Sequence, residues 1–473
     1  MKQMIKFGTG GWRAIIGEDF TKSNVQLLTA AICSLMKEQG VEKRGLCVGY
    51  DRRFLSREAA QWVAEVCAGA GVPCLLLDRE APTPLIMYTV RDSKLPYGMA
   101  VTASHNPALY NGIKVFTEGG RDATELVTDD IERHIAALEG KEIAVVPYAK
   151  ALETGIAKLI NPFNKYIDSI LALVDMDAIK DKHLKIALDP MYGVSRTSLQ
   201  TILLTARCEV DVIHERHDTL FGGRLPSPTL QTLGALSNFV VESGCDIGIA
   251  TDGDADRIGI IDDIGTFLHP NKILVLLYYY LLAYRGWKGA VVRNNSTTHL
   301  LDRVAAGFGE ACYEVPVGFK HISEQMELAD ALIGGESSGG LTVRGHIPGK
   351  DGIYAATLLV EMEAKTGKKL SAIYREVTDR FGEVHMADAD FTMTQERKQE
   401  LKALLFEKKA LPEFPYEIDH VSYMDGCKVY FKNGGWVICR FSGTEPLLRT
   451  CAEMAEESDA KECVRIWREF LEL

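Results

Sequence analysis

Long apolar runs are missing from this chain of 473 residues: no stretch approaches the roughly 18 consecutive apolar residues that cross a bilayer. Its first residues, MKQMIKFGTGGWR, carry no apolar signal core, so the expected location is the cytoplasm and no membrane partner is expected. Paired cysteines are missing too. The 11 cysteines, Cys33, Cys47, Cys67, Cys245 and Cys439 among them, are scattered singly, with no CxxC pair and no histidines at zinc spacing. Most lie in apolar contexts such as LCVGY and WVICR, which predicts buried free thiols. No block rich in Lys and Arg appears, and 53 basic against 65 acidic residues give a net charge of −12. A nucleic-acid partner is therefore not expected. The same field repels small anions, so any phosphate site has to be built from a local cluster of Arg and Lys.

What is present is an alternation of strand-like and helix-like segments. GLCVGYD (45–51) precedes the helical REAAQWVAEVCAGAG (57–71) and the strand-like PCLLLD (73–78). The rhythm returns at LKIALDP, CEVDVIH and CDIGIATD, and again at KGAVVRN and ALIGGES. This is the pattern of α/β units on mixed, largely parallel sheets, and its recurrence predicts three related α/β domains. The last hundred or so residues read as an α+β domain with an antiparallel sheet, in which NGG of FKNGGWVICR turns a hairpin. The expected division is 1–147, 148–258, 259–372 and 373–473.

Five short segments carry chemistry. Thr102-Ala-Ser-His-Asn-Pro107 follows the strand-like YGMAV and exposes Ser104 and His105 where α/β sheets bind ligands, although Asn-Pro is also a plain turn signal. Ten residues on, Lys114 could serve as acid or base if its pKa were lowered; a solvated lysine at a strand start is the alternative. Asp252-Gly-Asp-Ala-Asp-Arg257 places three carboxylates in five residues, a hard-oxygen site suited to Mg²⁺. An EF-hand is excluded, because Arg257 stands where Gly is required, Asp263 where Glu is required, and strands flank the loop. In Gly334-Gly-Glu-Ser-Ser-Gly-Gly340, Glu336 and Ser338 could bind sugar hydroxyls, with Lys320 offering a cation just upstream. Arg440-Phe-Ser-Gly-Thr-Glu-Pro-Leu-Leu-Arg449 brackets Ser442, Gly443 and Thr444 with two arginines, an arrangement for an anion. At the N-terminus, Gly8 to Arg13 offers glycines and a cation but not the GxGxxG of a dinucleotide site.

Taken together, GTGGWR, TASHNP with NGIK, DGDADR, GGESSGG and RFSGTEPLLR resemble the α-D-phosphohexomutase superfamily, the phosphoglucomutase/phosphomannomutase group, in order and spacing from Gly8 to Arg449. The resemblance implies three α/β domains and a smaller C-terminal domain around a central cleft. It implies a phosphorylated Ser104, with Asp252, Asp254 and Asp256 binding Mg²⁺ together with that phosphate. Lys114 would be a general acid/base assisted by Arg13, His105 and Arg257. Glu336 and Ser338, with Lys320, would bind the sugar, and Arg440, Ser442, Gly443, Thr444 and Arg449 the phosphate that is not transferred. The implied reaction interconverts hexose 1- and 6-phosphates, glucose favoured and mannose accepted, in a monomer or homodimer activated by glucose 1,6-bisphosphate. A phosphoglucosamine mutase, a sugar-phosphate phosphatase and a non-catalytic sensor are the alternatives. One departure concerns the sugar: a histidine that often ends the sugar loop is replaced by Gly340, which leaves open whether His346, six residues on, substitutes for it.

Overall fold

The computed structural model describes residues 5–8, 10–442 and 447–473. Three mixed sheets and one antiparallel sheet succeed one another along the chain. The first places Leu46–Tyr50 in parallel between Tyr97–Val101 and Cys74–Leu77, then turns antiparallel at Tyr110–Thr117 and Trp12–Ile15. The second pairs Ile247–Thr251, Lys185–Asp189 and Glu209–Val212 in parallel, then adds Ile258–Ile261 antiparallel. The third pairs Cys312–Val315, Val291–Asn294 and Ile333–Gly335 in parallel, then adds Leu341–Val343 antiparallel. The fourth is antiparallel throughout, in the order His385–Thr392, Leu447–Met454, Trp436–Phe441, Cys427–Phe431 and Ile418–Ser422.

The first three sheets share one construction. In each, the last parallel strand turns back on itself, and the turn carries a motif: 102–109 holds Ser104, 252–257 the aspartates, and 336–340 Glu336. Such turns stand at the carboxyl ends of parallel strands, where backbone groups are not consumed by the sheet. The sheets also shift two expected boundaries. Ala157–Ile160 pairs in parallel with Cys74–Leu77 and so extends the first sheet past 147. Ile258–Ile261 and Phe267–Leu268 extend the second past 258.

Sequence explains the placement of the helices. Gly352–Thr366 (GIYAATLLVEMEAKT) and Pro270–Ala283 (PNKILVLLYYYLLA) are apolar nearly all round, and they are almost wholly buried in the largest core cluster. Glu361 is tolerated inside that cluster because Arg285, Tyr280 and the Asp175 N–H all bond its carboxylate. Asp351 caps Gly352–Thr366 by accepting from the N–H groups of Ile353 at 2.8 Å and Tyr354 at 3.0 Å. Nine of the 11 cysteines are buried and all are free thiols. Among the described residues no helix is long and apolar enough to cross a membrane.

The C-terminal sheet docks on the third through a buried cation. Lys428 donates to the Asn295 carbonyl at 2.7 Å and to Glu314 at 2.8 Å, and it lies over the Trp436 ring at 4.3 Å. Burial, with Arg293 nearby, lowers its ammonium to about 8. Burial alone would push Glu314 up, but His299, Lys428 and Arg293 overcome it and hold the carboxyl well below its usual range. Removing one partner leaves buried charge uncompensated, which typically costs several kcal/mol. Glu314→Gln should therefore lower unfolding stability by about 3 kcal/mol in a urea titration; a loss under ~1 kcal/mol would show that the cluster does not hold the two sheets together.

Candidate active site

The serine loop is shaped by Arg53, which sequence reading passed over. From the end of the strand Leu46–Tyr50, its guanidinium donates to the carbonyls of Ser104 (2.6 Å), Asn106 (2.7 Å), Pro107 (2.9 Å) and Tyr110 (3.1 Å). Asp51 completes the support: it accepts from Thr102 Oγ1 at 2.7 Å, and Thr102 in turn accepts from the Ser104 N–H at 2.9 Å. The only sequence signal was a charged DRR directly after a buried strand. So held, Ser104 adopts φ +52°, a left-handed conformation that a serine occupies only when its surroundings enforce it. Its Oγ donates to Asp252 Oδ2 at 2.8 Å and lies 3.4 Å from His105 Nδ1. Gly253 makes this approach possible, since a Cβ there would sit 2.8 Å from the Ser104 carbonyl. The charge of Arg257, then burial and Arg13, lower the His105 pKa well below its ordinary value, so the ring beside Ser104 is neutral at pH 7.

Asp252, Asp254 and Asp256 are all buried, and one carboxylate oxygen from each falls within 4.8 Å of the others. Crowding of this kind demands cations, and each of the first three units sends one. Lys114 bridges Asp254 and Asp256 at 2.6 Å each, Lys350 reaches Asp256 at 3.1 Å, and Arg257 lies 3.9 Å from Asp256. Thr83, on a helix of the first unit, donates to Asp254 Oδ2 at 2.6 Å. Lys114 is buried, not a solvated lysine, and it lacks the lowered pKa on which action as a base was conditioned. Burial pulls the ammonium down, but Asp254, Asp256 and Asp252 overcome it and hold it above its usual range. Burial likewise pushes Asp256 up, and Lys114, Lys350 and Arg257 reverse the shift.

The aspartates suit a hard divalent cation. Asp254 Oδ1 and Asp256 Oδ1 are buried without a hydrogen-bond partner, and the donor set is all carboxylate oxygen. The Nε atoms of Arg13 and Arg257 are also buried and unbonded. Arg13 otherwise donates to Asn106 Oδ1 at 3.0 Å. Unbonded acceptors and donors thus lie in one region near Ser104, and a bound divalent cation and a bound oxyanion would satisfy them.

The sugar loop meets this centre from the third unit. Glu336 is buried and accepts from Asn294 Nδ2 at 3.2 Å and the Gly318 N–H at 3.1 Å, while exposed Ser338 lies 3.4 Å from its second oxygen. His346 does not replace the missing histidine. Its ring is buried against Tyr354 and bonds Asp351 at 2.6 Å, away from the loop, because Asp351 must be held as a helix cap. The space beside Gly340 belongs to Lys350: a Cβ at 340 would lie 2.2 Å from the lysine Cδ. Lys320 pairs with exposed Glu125 at 2.6 Å and lines a cavity of about 400 Å³, together with Lys114, Asp122, Asp425 and Arg440.

Arg440 and Arg449 are cross-strand partners, directly opposite each other on neighbouring strands. Arg440 faces the cavity and bonds Asp425; Arg449 is exposed, 3.8 Å from Asp390. Ser442 accepts from Lys398 through its carbonyl at 2.7 Å. Gly443 and Thr444 lie outside the described residues. If the three aspartates form the cation site, calorimetric titration should show Mg²⁺ binding that Asp254→Asn weakens at least about tenfold, a loss of one ligand charge; equal affinity in the variant would remove Asp254 from the site.

Models of the phosphoglucomutase/phosphomannomutase family match in four parts: α/β/α domain I over 4–142, domain II over 164–265, domain III over 269–381 and the C-terminal domain over 392–469. A Thermococcus kodakarensis phosphoglucomutase/phosphomannomutase is 30% identical over 98% of each chain. A Sulfurisphaera tokodaii phosphoglucosamine/phosphogalactosamine mutase is 27% identical over 98% of this chain and 99% of its own. The crystal structure of a Thermus thermophilus protein named as a phosphomannomutase superposes with a TM-score of 0.86 at 29% identity, covering 100% of both chains. Four matching domains in order, and likeness end to end, place this chain in the phosphoglucomutase/phosphomannomutase family of α-D-phosphohexomutases, enzymes that shift a phosphoryl group within a sugar phosphate.

Proposed function

We propose that the chain interconverts hexose 1-phosphate and hexose 6-phosphate through a phosphorylated Ser104, with glucose preferred and mannose accepted. The observation that carries this reading is the placement of Ser104: strained into a left-handed conformation, its Oγ 2.8 Å from a buried aspartate. In the first transfer, a sugar hydroxyl oxygen bonds to phosphorus as the bond from phosphorus to Ser104 Oγ breaks; in net, the proton the hydroxyl gives up ends on Oγ, so none is left over. The bisphosphate then turns round, and the other phosphoryl group returns to Ser104. Lys114, kept as an ammonium by the aspartates, enters as proton donor, and Arg13 and Arg257 face the oxygens of the transferred group. Asp252, Asp254 and Asp256 would hold Mg²⁺, which when bound neutralises charge on that group. Phosphoryl transfer needs chiefly positioning and charge neutralisation, and the cation cluster supplies both against a net charge of −12.

Glu336 and Ser338 are suited to the 3- and 4-hydroxyls, whose configuration glucose and mannose share, so this pair does not separate the two sugars. The name of the Sulfurisphaera relative supports a second reading, a phosphoglucosamine mutase. A coupled assay on glucose, mannose and glucosamine 1-phosphates decides the matter. Glucose 1-phosphate should be turned over fastest, with a bisphosphate-dependent phosphate on Ser104 in peptide mass maps. Ser104→Ala should lose all but a few per cent of turnover. Steady release of inorganic phosphate without the 6-phosphate product would make the enzyme a phosphatase, and a tenfold preference for glucosamine 1-phosphate would select the second reading.

A further inference from the structure

The sugar loop and the arginine of the C-terminal sheet are joined by two short bridges of the same design. Each bridge is a pair of consecutive residues in the third unit that reach in opposite directions. In the first, Asn294 donates its amide to Glu336 Oε1 at 3.2 Å, while its neighbour Asn295 donates to the Asp425 carbonyl at 2.8 Å. In the second, the Gly318 N–H donates to Glu336 Oε1 at 3.1 Å, while the Val317 N–H donates to Asp425 Oδ2 at 2.9 Å. The same Asp425 oxygen accepts from Arg440 Nε at 2.7 Å. A carboxylate on Nε sets the plane of a guanidinium, whose fork is rigid. The chain Glu336–Asn294–Asn295–Asp425–Arg440 therefore spans the two units with no flexible member except side chains already bonded at both ends.

We infer that Asp425 is a positioning residue for substrate: it holds Arg440 at a set distance from Glu336, so that a hexose is gripped by its hydroxyls and its distal phosphate at once. A hexose phosphate has a nearly constant span from its 3- and 4-hydroxyls to either phosphate. One ruler can then serve both orientations of the bisphosphate. Asp425 and Arg440, the phosphate end of the ruler, both line the cavity that Lys114 and Lys320 also line. The inference rests on the mutase reading for its substrate, but the bridges themselves do not.

The test uses the full chain with Mg²⁺. Asp425→Asn should raise KM for the 1-phosphate and the 6-phosphate alike, by about tenfold for one lost charge-assisted bond, with kcat within about twofold. Asp425→Asn added to Arg440→Ala should change KM no further, because the carboxylate acts through that arginine. Asn295→Ala keeps the ion pair and cuts one bridge, so it should raise both KM values about threefold, and it stands in if Asp425→Asn fails to fold. A binding arm separates this idea from the mutase reading. In the Ser104→Ala background, glucose 1,6-bisphosphate affinity should fall for Asp425→Asn and at least as far for Arg440→Ala, whether or not the parent enzyme shows mutase turnover. Unchanged KM and affinity, additive losses in the double variant, or a fall in kcat alone would overturn the inference.

Discussion

Three carboxylates buried within reach of one another are the constraint around which this molecule is organised. Like charges in a low-dielectric interior repel strongly, so Asp252, Asp254 and Asp256 need cations packed against them. The offset is gathered from three units: Lys114 from the first, Arg257 from the second, Lys350 from the third. The same contacts that neutralise the aspartates clamp the units to one another. Electrostatic necessity and domain assembly are here one arrangement.

The repeated sheet construction turns that arrangement into a site. Because each of the first three sheets reverses direction after its last parallel strand, each delivers one tight turn to the centre. The turns do different work: one presents a strained serine, one the carboxylates, one a buried glutamate with an exposed serine. They also support each other directly, as where the Ile258 N–H donates to the Gly339 carbonyl at 3.1 Å and the Gly352 N–H to the Ala255 carbonyl at 3.2 Å. Strain at Ser104 and at Ala255, both with left-handed backbones, persists because these contacts over-determine the turns. The C-terminal sheet stands apart in topology, yet its dock through Lys428 and its reach through Asp425 bring Arg440 to the cavity that Lys114 also lines.

The sequence by itself determined the alternating α/β pattern, the antiparallel C-terminal sheet and the five motifs, because these depend on local periodicity, turn chemistry and residue type. Strand positions such as Leu46–Tyr50 and Ile247–Thr251 were legible as short apolar runs. Only the tertiary structure decided which side chains meet. No local pattern marks Arg53 as the group on which four carbonyls converge, or Lys350 as the lysine that Gly340 leaves room for beside Asp256. His346 looks like a replacement sugar ligand in the linear sequence, but the cap on Gly352–Thr366 captures it. Lys114 shows the same division: its residue type announced proton chemistry, while the direction of its pKa depended on carboxylates about 140 positions away. Contacts of such separation are set by how sheets and helices pack, and no local pattern in a single chain encodes them.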